Sequence, residues 1–248
     1  IPLKGAMRCT LLTLAAVTTP IVFSGSALAQ EGNDVFADGL IAVRQEEHRT
    51  AVSIFSGVIA QRPEHARAWY YRGLSREALG DRTGALHDLD RALLLEPGDL
   101  NIRLRRAETL VQAERFNEAE ADLRVILEAA PTQAIGLHAR FTWGQLLVAR
   151  GDREAALGMY DDLVRLAPTD AKAWCNRGLV RGTLGEHEAA VADLSHALSL
   201  DPTLVKAFGG RAQALIALGR TEEACADIVK ARELGDASLD EMLLIHCL

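Results

Sequence analysis

Aromatic residues are scarce in this chain of 248 residues: three Trp, three Tyr and six Phe make up 5% of it. Cysteine is scarcer still, with four. Their spacings match no zinc or redox motif and give no sign of a dense disulfide framework. No basic patch stands out and the net charge is −7, which argues against a nucleic-acid partner. The longest apolar run, Leu11 to Phe23, is short for a bilayer span and carries Pro20. The histidines are His48, His65, His87, His138, His187, His196 and His246, and none lies three or four residues from another His or Cys. No local metal-ligand pair can be built from them, so no metal and no cofactor is expected. The Gly-x-Ser-x-Gly of hydrolases and the glycine-rich phosphate loop are both missing. Asp161-Asp162 and Glu46-Glu47 are adjacent carboxylates, which point to different faces of a helix and read as surface charge. Asp88-Leu89-Asp90-Arg91 reads as a solvated helix face. No catalytic residue is expected, and an enzyme assembled from distant residues is the least favoured reading.

What the chain does have is Ala and Leu in abundance, both strong helix formers, and prolines at a fixed interval. After Pro20 the prolines are Pro63, Pro97, Pro131, Pro168 and Pro202, separated by 34, 34, 37 and 34 residues. A period of this size marks a stacked repeat array. With proline at position 32 of each block, position 20 is Ala51, Ala85, Ala119, Ala156, Ala190 and Ala224. Position 8 is Gly39, Gly73, Ala107, Gly144, Gly178 and Ala212, and position 24 is Phe55, Leu89, Leu123, Tyr160, Leu194 and Ile228. Position 4 is looser: Val35, Trp69, Arg103, Arg140, Trp174 and Phe208. Apolar residues at 20, 24 and 27 share one helical face. The small residues at 8 and 20 let two helices approach, beside the large residue at 24. Gly80, Gly151, Gly185 and Gly219 fall at position 15, where a left-handed glycine closes a helix. Each block is therefore helix, turn, helix, and the pairs must stack to bury their apolar faces.

The blocks run 32–65, 66–99, 100–133, 137–170, 171–204 and 205–238. The three extra residues near Gln133 to Gly136 are expected as a loop between blocks three and four. Residues 239–248 are expected as a capping helix, with Ser238 and Glu241 forming a capping box. Leu239, Met242 and Leu243 would cover the end of the stack. That helix is apolar nearly all round, which makes a homodimer through it a second functional reading. At the other end, Arg8, the apolar run and Ala27-Leu28-Ala29 have the order of a secretory signal peptide over 1–29. The chain is accordingly expected to be exported, periplasmic or secreted, with no membrane span after cleavage. The remaining Cys175, Cys225 and Cys247 are odd in number, so at least one thiol stays unpaired. All three are expected as small, semi-buried apolar residues.

Trp69…Gly73…Ala85…Leu89…Pro97 and Trp174…Gly178…Ala190…Leu194…Pro202 resemble the tetratricopeptide repeat (TPR) pattern W-x2-L-G-x2-Y, A-x3-F and P. The likeness covers residues 32–238. Arg72 and Arg177 stand where the pattern has Leu, and Arg76 and Arg181 where it has Tyr. These departures are expected at a partly exposed edge. The resemblance implies an all-α solenoid of about six repeats in a right-handed superhelix, whose first helices line a concave groove that binds peptides. It implies groove positions at 2, 5, 9 and 12, the first three here Arg67, His138 and Lys172; Phe36, Tyr70, Leu104, Phe141 and Cys175; and Leu40, Leu74, Gln145 and Leu179. That mix implies a protein or peptide partner with an amphipathic or apolar segment and an acidic flank. The implied function is a non-catalytic adaptor or scaffold, for assembly or regulation of an envelope complex.

Overall fold

The computed structural model describes residues 25–247, with side chains described from Val35 on, Met242 excepted. Among these residues there are thirteen helices and no strand. Residues 1–24, which hold most of the expected signal peptide, lie outside the described residues. The helices form six antiparallel pairs: α1 (Gly25–Arg44) with α2 (His48–Gln61), α3 (Ala66–Ala78) with α4 (Arg82–Leu95), and α5 (Leu100–Gln112) with α6 (Phe116–Ala129). Then come α7 (Ala134–Arg150) with α8 (Arg153–Leu166), α9 (Ala171–Thr183) with α10 (His187–Leu200), and α11 (Val205–Ala217) with α12 (Thr221–Glu233). A short α13 (Asp240–His246) closes the array. Each element packs on its chain neighbours, so the molecule is an α-solenoid.

The repeating columns do what their sizes dictate. The six position-20 alanines are at most 1% exposed. Glycine at position 8 sits under the side chain at position 24. A Cβ on Gly39 would lie 2.5 Å from Phe55, and one on Gly144 would lie 2.6 Å from Tyr160. Leu89 and Leu194 sit over Gly73 and Gly178 in the same way, at 3.3 and 2.7 Å from such a Cβ. The turns close with positive φ at Gly80, Gly151, Gly185 and Gly219. Blocks one and three lack that glycine and force Glu46 (φ 59°) and Glu114 (φ 58°) into the same region.

Position 4 has a single task that hides behind unlike residues. Trp69 Nε1 donates to the carbonyl of Pro63 and Trp174 Nε1 to that of Pro168, each at 2.8 Å. Arg103 donates to the carbonyl of Pro97 at 2.9 Å, and Arg140 to that of Pro131. A side-chain N–H at position 4 thus ties each of these blocks to the proline turn before it.

Four expectations need correcting here. The three extra residues are helical: Gln133 precedes α7, which starts one turn early and runs 17 residues. Nothing in Ala134-Ile135-Gly136 breaks a helix. Ile135 gains core contact, and Gly136 tolerates the close carbonyl of Ala130. The Ser238–Glu241 capping box does not form. Leu239 occupies the N-cap without a side-chain bond, and the Ser238 N–H is already taken by Asp236 Oδ1 at 2.8 Å. α13 is not wrapped on all sides either, since Leu244 and Ile245 are 65% and 67% exposed. Finally, Cys225 and Cys247 form a disulfide that fastens α13 to α12, leaving Cys175 as a buried thiol.

The Asp88 run and the arginines of positions 7 and 11 also depart from expectation. Asp88 is fully buried. Arg72 Nε and Nη2 donate to its two oxygens at 2.8 Å each, and Arg76 adds a third bond at 2.9 Å. The same two-pronged pair recurs as Arg106–Asp122, Arg177–Asp193 and Arg211–Asp227. The remaining nitrogen of each arginine reaches back to the preceding block: Ser56 at 3.0 Å, Asp90 at 2.7 Å, Asp161 at 2.9 Å and Ser195 at 2.9 Å. Arg72, Arg177 and Arg211 also lie over the rings of Trp69, Trp174 and Phe208. Block four alone has apolar residues at both positions, Trp143 and Met159, partly buried against the core.

Candidate functional site: the inner face of the solenoid

First helices of successive blocks touch one another, α1 with α3, α5 with α7 and α9 with α11, while second helices pack chiefly on first helices. The first helices therefore line the inner side of the curve. Positions 2, 5, 9 and 12 of these helices are where the tetratricopeptide resemblance places the groove.

The expected site residues divide into two kinds. Leu104 is 8% exposed and Cys175 3%; both belong to the core and present no side chain to a partner. Burial pushes the Cys175 thiol up to about 11, so it is neither nucleophilic nor charged near neutrality. Phe36 and Leu40 are half-buried and serve mainly in packing. The Phe36 ring lies 5.6 Å from Phe55 and 4.7 Å from His65, with Arg67 above it at 5.5 Å. Leu74 is half-buried and Gln145 exposed.

Three clefts gather the others. One of about 300 Å³ is lined by Arg67, Tyr70 and Tyr71 of α3 and by Glu96, Asp99, Asn101 and Ile102. Tyr70 meets Tyr71 edge-on at 5.2 Å. Burial raises the Tyr70 hydroxyl, with Arg105 pulling the other way. A second of about 330 Å³ is lined by Ala134, Leu137, His138 and Phe141 of α7 with Asp170 and Lys172. Its floor is apolar and its rim charged. A third of about 310 Å³ runs along Leu179 and includes His187 and Gln213.

Between the first two clefts lies a network that the position-by-position reading missed. Arg105 lies beside the Tyr70 hydroxyl and favours its ionised form. Arg105 sits 3.0 Å from Glu108, and Glu108 sits 2.9 Å from His138. Arg105 also approaches Glu77 at 4.0 Å, and the Thr109 hydroxyl donates to Glu77 at 3.3 Å. Burial raises the Glu77 carboxyl despite Arg105. The Glu108 bond raises His138 above the usual imidazole range, against desolvation and the charges of Arg105 and Lys172. Arg105 lies at position 6, outside the groove positions that the resemblance implies, and its 28-residue separation from Glu77 at position 12 hides the contact in the sequence. Among the described residues, no group of three or more His, Cys, Asp or Glu could hold a metal ion. Nor is any described helix long and apolar enough to cross a membrane.

Tetratricopeptide-repeat family profiles match residues 36–85, 77–141 and 144–207 in succession. The chain belongs to the tetratricopeptide-repeat family. Sperm-associated antigen 1 of Rattus norvegicus is 34% identical over 101 residues, 41% of this chain and 10% of that protein. The curated relatives are matched over only 10% to 35% of their own lengths. A TPR protein from Parabacteroides merdae superposes with a TM-score of 0.72 at 20% identity, covering 90% of this chain and 87% of that one. PilW, described as a widely conserved type IV pilus biogenesis factor, superposes with a TM-score of 0.76 at 18% identity, covering 86% and 99%. TPR chains are generally non-catalytic interaction modules, and this fold supports protein or peptide partners.

Proposed function

We propose that this chain is an exported adaptor, periplasmic or secreted, that holds a protein or peptide segment on its inner face and serves the assembly or regulation of an envelope complex. The observation that carries the groove reading is the cleft between α7 and α9. There Leu137 and Phe141 offer an apolar floor beside the exposed His138 imidazole and Lys172 ammonium. Apolar surface rimmed by polar groups is the usual form of a binding patch. The Cys225–Cys247 disulfide supports the exported half of the reading, because such bonds persist in oxidising compartments. PilW shares the fold, and its pilus role by description makes an envelope setting a natural one for this architecture.

The test is capture of the partner by the wild type and by a Tyr70→Asp, Phe141→Asp double variant. The reading expects capture to fall at least tenfold with helical content by circular dichroism unchanged. Equal capture by the two proteins would overturn it.

The exposed Leu244 and Ile245 on α13 favour a second reading, self-association through the C-terminus. Leu244→Lys with Ile245→Lys then lowers the mass seen by light scattering from dimer to monomer. An unchanged mass removes that reading.

A further inference from the structure

His138 lines the cleft between α7 and α9, and its partner Glu108 on α5 stands behind it. His138 Nε2 is 2.9 Å from Glu108 Oε1, and Glu108 is only 18% exposed at its side chain while His138 is 55% exposed. The groups that face His138 come from two neighbouring helices. α5 supplies Glu108 and Arg105, themselves 3.0 Å apart. α9 supplies Lys172 and its N-capping Asp170. The Asp170 carboxylate is committed to the N–H groups of Lys172 and Ala173, at 2.9 and 3.4 Å. Both bonds go to Oδ1, so the rim offers a visitor the Lys172 ammonium and the imidazole of His138, with the Asp170 carboxylate beside Lys172. Beneath them Leu137 and Phe141 form an apolar floor.

We propose that this cleft takes a segment that pairs an apolar side chain with a carboxylate, and that protonation of His138 gates its binding. The proposal rests on the groove reading above and adds its ligand chemistry and its control. With His138 protonated, its charge and that of Arg105 offset Glu108 and Glu77, and a ligand carboxylate meets Lys172 and an imidazolium. With His138 neutral, Glu108 is left with Arg105 alone, which it shares with Glu77, and its uncompensated negative charge stands directly behind the imidazole that the incoming carboxylate approaches. Like charges at such range repel through a poorly screened, half-buried surface. Because Glu108 already raises His138, the gate acts at a higher pH than a free histidine would. Binding of a carboxylate raises His138 further, and the affinity ratio between the two protonation states equals that added shift. A shift of about half to one unit gives roughly three- to tenfold tighter binding at pH 5.5 than at pH 8.

The test uses capped, fluorescein-labelled pentapeptides Gly-X-Z-X-Gly, with X aspartate or asparagine and Z leucine, phenylalanine or alanine. They are titrated by polarisation against the full chain at pH 5.5 and 8, with His138 followed by NMR. The proposal expects the aspartate–leucine and aspartate–phenylalanine peptides to bind, three- to tenfold more tightly at pH 5.5. It expects the asparagine and alanine versions to bind more weakly. His138→Gln abolishes the pH dependence. Glu108→Gln lowers the titration point of His138 and strengthens binding at pH 8. Equal affinity at the two pH values overturns the gate while the groove reading stands. Equal affinity for aspartate and asparagine peptides overturns the ligand chemistry. Absence of binding at both pH values, with His138 still titrating above its ordinary range, overturns the groove reading and the gate with it.

Discussion

Each of Asp88, Asp122, Asp193 and Asp227 is at most 5% exposed, which is costly for a charge without a partner. Each is held by two parallel bonds from the arginine of the same block, the strongest geometry available to such a pair. Breaking one such pair leaves a buried charge uncompensated, whereas replacing both members by apolar residues is far milder. Block four shows that the site accepts the second solution, with Trp143 and Met159. Asp227→Ala is therefore predicted to cost about 3 kcal/mol in urea unfolding, and Arg211→Met with Asp227→Met clearly less. A double variant as unstable as the single one would contradict this account. The backbone offers a stabilising change. Glu114 pays for a left-handed φ of 58°, roughly 1–2 kcal/mol for an L-residue. Glycine removes that cost and adds back about 0.4–1 kcal/mol of unfolded-chain entropy. Glu114→Gly is predicted to raise stability by about 0.5–1 kcal/mol, read as a higher melting temperature; a lower one refutes it.

Among the elements, the helix pairs were legible in the sequence because several columns repeat together: proline at 32, alanine at 20, small residues at 8, glycine at 15. Each column reflects a local demand, a turn or a close helix contact, so one block teaches the next. The contacts between columns were not legible. Arg72 and Asp88 lie 16 residues apart, on two helices whose facing sides depend on the turn between them, and so both looked like solvent-exposed charge. In the sequence the extra turn of α7 looks like a loop because an insertion between repeats usually falls in one, yet an insertion of about one turn nearly keeps the helical face in register. The capping helix shows the same limit. Seven residues are too few for a stable helix in water. α13 is held instead by Leu239, which is 8% exposed beside Gly209, and by the Cys225–Cys247 bond, a pairing that three cysteines leave open. Cys225→Ser is predicted to abolish hydrogen-exchange protection at the Leu243 and Cys247 amides while α3 to α10 keep theirs. Unchanged protection at those two amides would show that apolar packing alone suffices.

At the level of the whole molecule, arginine staples join blocks one to two, two to three, four to five and five to six. Between blocks three and four the position-7 arginine is replaced by Trp143, packed with Leu146 and Leu147, and Arg150 reaches Glu120 at 3.2 Å instead. The inner face changes character at that same junction, from the Tyr70–Arg105–Glu108 network to the apolar floor under His138 and Lys172. The candidate site was only partly legible for this reason. The residue types at positions 2, 5 and 9 gave its general character, but burial removed Leu104 and Cys175 from it, and the contacts among α3, α5 and α7 added Arg105 and Glu77. The central claim is that a partner lies along this inner face. The most direct test is cross-linking of the full chain to its captured partner, with the linked residues located by mass spectrometry. The account predicts links clustered around Tyr70, His138 and Lys172, lost in the Tyr70→Asp, Phe141→Asp variant. Links confined to residues 239–248 of a second copy would contradict it and make the chain a self-assembling scaffold.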